Sequence, residues 1–213
     1  MAEARIPWPT LRRPLVAILR GIAPSETPAV VGALVEAGFE AIEVPLNSPD
    51  PFTSIAAAAR IAPPGCLIGA GTVLDVEEVD RLAEAGGRLL VSPNVEPAVL
   101  ARAGTHGMVT MPGVFSPTEA LAAARAGASM LKFFPASVLG PSGIAAIRAV
   151  LPPGLGIAAV GGVSETNFAD YGKVGIRAFG LGSSLYAPGL DTREIAARAR
   201  RVIDAYDRVF GPA

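Results

Sequence analysis

The sequence predicts a (β/α)8 barrel, an α/β fold in a single domain spanning residues 1–213, with residues 1–13 as an N-terminal extension. Three observations predict it. Eight short apolar runs of strand length recur along the 213 residues. Alanine-rich segments of helical period separate them. The phrase "helix, Ala-Gly, strand" repeats at EAGFEAIEV, EAGGRLLVS and RAGASMLKF, with no composition break that would mark a linker. Eight βα units in so short a chain fit a closed parallel barrel. An open doubly wound sheet is the alternative that the strand count and rhythm disfavour.

The strand candidates, in order, are PLVAILR (14–20), AIEVPL (41–46), LIGAGT (67–72), RLLVSP (88–93), GMVTMP (107–112), SMLKFFP (129–135), GIAAVGG (156–162) and RAFGLGS (177–183). Helices are expected between them. Three are expected to start at an N-cap and stop at glycine: Ser25 to Gly38, Asp75 to Gly86 and Ser116 to Gly127. Another is expected over GPSGIAAIRAVL, from Gly140. A last helix, from about Asp191 to Arg208, would close the barrel, and Met1 to Leu11 would cap it.

Composition narrows the function classes. Net charge is -1 and no basic cluster occurs, so nothing favours nucleic acid as a partner. One cysteine, Cys66, permits no internal disulfide, and a single histidine, His106, argues against a His-ligated metal site within the chain. The opening MAEARIPWPTLRRP lacks the apolar core of a signal peptide, and no run approaches the roughly 18 apolar residues of a membrane span. The expectation is a soluble cytoplasmic enzyme or binding protein with no membrane partner.

Charges that interrupt the apolar runs carry the functional signal. Arg20 ends the first run, Glu43 sits in the second and Lys132 in the sixth. Period two sets Ala41, Glu43 and Pro45 on one strand face and Ile42 and Val44 on the other. It likewise groups Met130, Lys132 and Phe134 against Leu131 and Phe133. With the β-branched Ile42 and Val44 turned to the helices, Glu43 points into the barrel, and by the same alternation Lys132 can too, toward the C-terminal mouth where barrel enzymes place their chemistry. One reading is a structural ion pair. The other is a lysine kept neutral by an apolar site so that it attacks a carbonyl, with the carboxyl moving protons.

Glycines after the last two strands add a second signal. Gly161 and Gly162 precede a helix start at Ser164, and Gly182 and Ser183 occupy the matching place after the eighth strand. Backbone N–H groups there suit a phosphate, which barrels often hold after strands 7 and 8. Thr72, at the end of the third run, either contacts substrate or caps the next helix. His106, Cys66 and the acidic face Asp75, Glu77, Glu78 and Asp80 read as structural.

In family order, the fragments ILRGI (18–22), IEVPLNSP (42–49), IGAGTV (68–73), VSPN (91–94), PG (112–113), PTEAL (117–121), LKFFP (131–135) and AVGGV (159–163) resemble the class I 2-keto-3-deoxy-phosphosugar-acid aldolases. The resemblance runs from about Leu15 to Tyr206. It implies that Lys132 forms an imine with the C2 ketone of a phosphorylated 2-keto-3-deoxy sugar acid, with Glu43 as acid/base and no cofactor or metal. It implies pyruvate and glyceraldehyde 3-phosphate as products. It implies Arg20 and Thr72 at the carboxylate end, Gly161, Gly162, Gly182 and Ser183 at the phosphate, and a homotrimer. Phosphogluconate-type members commonly have an arginine after the glutamate segment and a threonine before the Gly-Gly pair, where this chain has Asn47 and Val160. That second position faces the C4 hydroxyl in the family, so the galactonate epimer is the expected substrate. The gluconate epimer or a related 2-keto-4-hydroxy acid is the alternative, and a non-catalytic sugar-phosphate-binding barrel is the alternative of another class.

Overall fold

In the computed structural model, which describes residues 5–212, each of the eight apolar runs contains a strand. The order is β1 (Leu15–Ile18), α1 (Thr27–Ala37), β2 (Ala41–Pro45), α2 (Pro51–Ile61), β3 (Leu67–Gly71), α3 (Val76–Glu84), β4 (Leu89–Val91), α4 (Pro97–Thr105), β5 (Val109–Met111), β6 (Gly113–Val114), α5 (Pro117–Arg125), β7 (Met130–Phe133), α6 (Ala136–Arg148), β8 (Gly156–Val160), α7 (Phe168–Lys173), β9 (Ala178–Leu181) and α8 (Thr192–Phe210). Nine segments make eight barrel positions, because only Pro112 separates β5 from β6, and proline has no N–H for the ladder. β5 pairs with β4, β6 pairs with β7, and β1 pairs with β9, all in parallel, so the sheet closes on itself.

Alternation along the strands sorts the core into two shells. Ile42, Val44, Leu131, Phe133 and Phe179 face outward and pack under the helices with Leu34, Tyr206 and Ile203. Val16, Ala41, Leu89, Met111, Met130 and Ala178 fill the lower barrel, from the strand N-termini. Ile6, Trp8 and Leu11 pack against that inner cluster, so the segment from residue 5 caps the bottom of the barrel as expected. Residues 1–4 of the expected extension lie outside the described residues. Arg13 anchors the cap to α8 through two 2.7 Å hydrogen bonds to Asp207.

Helix ends follow local chemistry, with two differences from expectation. Asp75 with Glu78, and Ser116 with Glu119, form capping boxes at α3 and α5. Helix α1 begins at Thr27 instead of after a Ser25 cap: the Glu26 carboxylate accepts from Ala23 N–H at 3.2 Å and Thr27 Oγ1 donates to Ala23 at 3.0 Å. Its C-terminus does stop at Gly38, in the left-handed region at φ 106°. Helix α6 starts four residues before the expected Gly140. Gly140, at φ 66° and ψ 168°, divides it into a first turn directly after β7 and a longer second piece. His106 lies on the surface at the C-terminal end of α4, with Nε2 2.7 Å from Asp80.

Candidate active site

The inner face that is apolar at the bottom becomes polar one turn of side chains higher. Above Ala41 on β2 comes Glu43, and above Met130 on β7 comes Lys132. Glu43 is 2 % exposed and Lys132 7 %. In the sheet register Glu43 pairs with Ile18 and Gly69, and Lys132 with Gly113 and Ala158, so the two stand on well-separated strands of the barrel. The two side chains thus meet one internal space from different sides of the barrel.

They are not locked together. No Lys132–Glu43 contact within 4.0 Å occurs among the ion pairs of the described residues. Glu43 Oε2 is buried with no hydrogen-bond partner. Burial drives the Glu43 carboxyl up to about 7, against the charges of Lys132 and Arg20, which pull it down. Burial likewise lowers the Lys132 ammonium, opposed by Glu43 and assisted by Arg20. Lys132 Nζ also lies 4.8 Å from the centre of the Phe134 ring. A structural ion pair would leave both groups charged and in contact. Here each group is shifted toward its neutral form, which suits a nucleophilic amine beside a proton carrier.

Lys132 and Glu43 open into a cavity of about 170 Å³ at the C-terminal ends of β1, β2, β7, β8 and β9. Arg20, Val160, Gly161, Gly162, Gly182 and Ser183 line it. Gly161 and Gly162 take φ of 88° and 75°, which turns successive backbone N–H groups and is unfavourable for residues with a Cβ. Asn167 holds that turn, accepting from Ser164 N–H at 3.1 Å and donating to the Gly162 carbonyl at 3.0 Å. The Arg20 guanidinium donates to Asn47 Oδ1 at 2.6 Å. Thr72 is outside the lining residues. It follows β3 at φ 58°, an unusual backbone for a β-branched residue.

Ile18, Phe134, Val163 and Gly180 also line the cavity and went unassigned in the sequence. The period-two rule that singled out Lys132 already reached Phe134, and it reaches Ile18 and Gly180 by counting from Val16 and Gly182. A larger depression of about 400 Å³ lies near the strand N-termini beside Ile6, Met108 and Gly127, and among the described residues its charged groups are the exposed Arg5 and Arg125. Among the described residues no cluster of three or more His, Cys, Asp or Glu is placed to hold a metal ion. None of the described helices is long and apolar enough to cross a membrane.

Residues 10–205 match the family model described as KDPG and KHG aldolase. The chain belongs to that aldolase family. Within it, the chain is 70% identical over 207 residues to a probable 2-dehydro-3-deoxy-6-phosphogalactonate aldolase of Rhizobium meliloti (strain 1021), covering 97% of this chain and 98% of the relative. It is 47% identical over 199 residues to the 2-dehydro-3-deoxy-6-phosphogalactonate aldolase of Escherichia coli (strain K12), covering 93% and 97%. A solved structure described as "Native KDPGal structure" superposes with a TM-score of 0.92 at 46% identity, over 95% of this chain and 98% of that one.

Proposed function

We propose that the chain is one aldolase domain that cleaves 2-dehydro-3-deoxy-6-phospho-D-galactonate to pyruvate and D-glyceraldehyde 3-phosphate through an imine on Lys132. The observation that carries this is the buried, unpaired Lys132 and Glu43 facing one cavity whose rim is the paired glycine turns. Near-full-length identity to relatives bearing that activity in their names supports the substrate.

The neutral Lys132 amine attacks C2 of the ketone, and Glu43 moves protons as the carbinolamine loses water. The resulting protonated imine is the electron sink for the next step. Glu43 takes the C4 hydroxyl proton, the C3–C4 bond breaks, and its electron pair forms the enamine of pyruvate. Glyceraldehyde 3-phosphate leaves, the enamine is protonated at C3, and water hydrolyses the imine to release pyruvate and restore the amine. The imine supplies the sink, so the route calls for no metal. Arg20, steadied by Asn47, holds the carboxylate end; Thr72, outside the cavity lining, is placed there by the family resemblance alone. Gly161, Gly162, Gly182 and Ser183 hold the phosphate. From the family resemblance we expect a cytoplasmic homotrimer.

Val160 favours the galactonate over the gluconate epimer. It is buried, its methyls pack where a Cβ on Gly180 would sit, 2.8 and 3.0 Å away, and as an aliphatic side chain it offers the C4 region no hydrogen bond. Borohydride added with pyruvate should inactivate the enzyme and add a pyruvate-derived mass to Lys132; an unmodified Lys132 with activity intact would sink the imine. The kcat/KM ratio for the two C4 epimers decides the substrate, and a preference for the gluconate epimer would overturn the galactonate assignment. Absence of any pyruvate-forming turnover would point to a non-catalytic sugar-phosphate-binding barrel.

A further inference from the structure

We infer that Gly71, at the end of β3, is a positioning residue for proton transfer: the place its side chain would fill is the seat of the Glu43 carboxyl. The inference rests on the reading of Glu43 as the acid/base. A Cβ built on Gly71 would collide with both oxygens and the carbon of the Glu43 carboxyl, and these are its three nearest atoms. Gly69, two residues earlier on the same strand, differs: a Cβ there would strike the backbone carbonyl of Leu89, an ordinary packing limit. Only at Gly71 is the missing side chain replaced by the functional group itself.

Backbone freedom does not explain the glycine. Gly71 is absent from the positive-φ glycines, so an alanine would meet no left-handed penalty there. Nor can the strand move aside easily. The Gly71 carbonyl accepts from Leu46 N–H at 2.8 Å, Gly71 is in register with Pro45, and Val73 N–H bonds to Val91 at 3.2 Å beyond the left-handed Thr72. The carboxyl, for its part, has no hydrogen bond to Oε2 that would hold it. On this side its position is set by shape. A methyl at Gly71 therefore has one soft neighbour to displace, and that neighbour is the carboxyl.

The test uses Gly71→Ala, Glu43→Gln and their combination in the full chain. Gly71→Ala should lower kcat about 100-fold, the order of loss expected for a displaced proton carrier, while KM changes less than about threefold. Adding Gly71→Ala to Glu43→Gln should cost less than about twofold more. A Gly71→Ala rate within twofold of wild type, or the same large loss in the Glu43→Gln background, would overturn the inference. A readout independent of turnover is the carboxyl 13C titration of Glu43, assigned by its loss in Glu43→Gln. It should move toward the ordinary carboxylate range in Gly71→Ala, because the displaced group reaches the more open cavity; an unmoved titration would sink the seat. Full turnover in Glu43→Gln would sink the acid/base reading instead. Should Gly71→Ala fold poorly, combining it with Glu43→Asp should restore folding by withdrawing the carboxyl by one methylene. A pair that folds no better would assign the clash to another neighbour and overturn the inference.

Discussion

At the scale of single residues, Glu43 sets function against stability. Its carboxyl moves from 4.5 up to about 7 on folding, chiefly through burial. A folded-state value above the unfolded one means that the native protein binds the proton more tightly between those two pH values. Stability from this group is therefore full below about pH 4.5 and falls by up to about 3 kcal/mol as pH rises through about 7. Glu43→Gln should remove that loss and leave the variant more stable than wild type at pH 8, while turnover falls by about 10² to 10⁴. Urea unfolding across pH 5 to 8 measures the first effect; parallel stability curves for the two proteins would contradict the burial argument. In wild type, kcat/KM should decline below about pH 7 as the carboxylate that accepts the C4 proton disappears, and that limb should be missing from the variant.

Among elements, the β8–α7 turn couples backbone shape to the phosphate end. Gly162 sits at φ 75°, and a Cβ there would come within 2.5 Å of Ser137 Cβ on the first turn of α6. Gly162→Ala meets both a left-handed penalty of roughly 1–2 kcal/mol and a contact with the first turn of α6. The turn should shift, raising KM for the phosphorylated substrate by at least about tenfold. Borohydride trapping of pyruvate, which has no phosphate, should proceed at nearly the wild-type rate. Equal losses in both assays would move Gly162 from the phosphate end to the imine end. The same region explains why α6 was expected to start late. Gly140 and Pro141 read as a helix boundary, yet a helical turn precedes them, with Ser137 N–H bonded at 3.0 Å to the Gly161 carbonyl at the end of the adjacent strand, a contact between residues distant in sequence.

On the scale of the molecule, the barrel is sealed at one end and open at the other. Trp8, with Ile6 and Leu11, caps the apolar floor, and Arg13 ties that segment to the last helix. Trp8 is only partly buried, and its Nε1 has no hydrogen-bond partner. Trp8→Ala should cost about 2 kcal/mol in urea unfolding, below the usual range for a fully buried aromatic. Because the site is built on strands well above the floor, kcat should change less than about twofold at temperatures where the variant is folded. A large kcat loss without a stability change would tie the cap to the active site.

The sequence by itself determined the eight strands, the direction of Glu43 and Lys132 and the glycine turns, because each follows from a local rule. Alternation assigns faces, glycine marks positive φ, and a charge in an apolar run stands out against its neighbours. Other features needed the chain to close. Pro112 splits a barrel strand in two without opening the sheet, since its flanking segments pair with different neighbours. Lys132 and Glu43 face one cavity without touching, a separation that sequence spacing does not encode. Gly71 looks like any other strand glycine until β2 and β3 are set side by side. Only tertiary structure decides what fills the space a glycine leaves, because that space belongs to a residue on another strand.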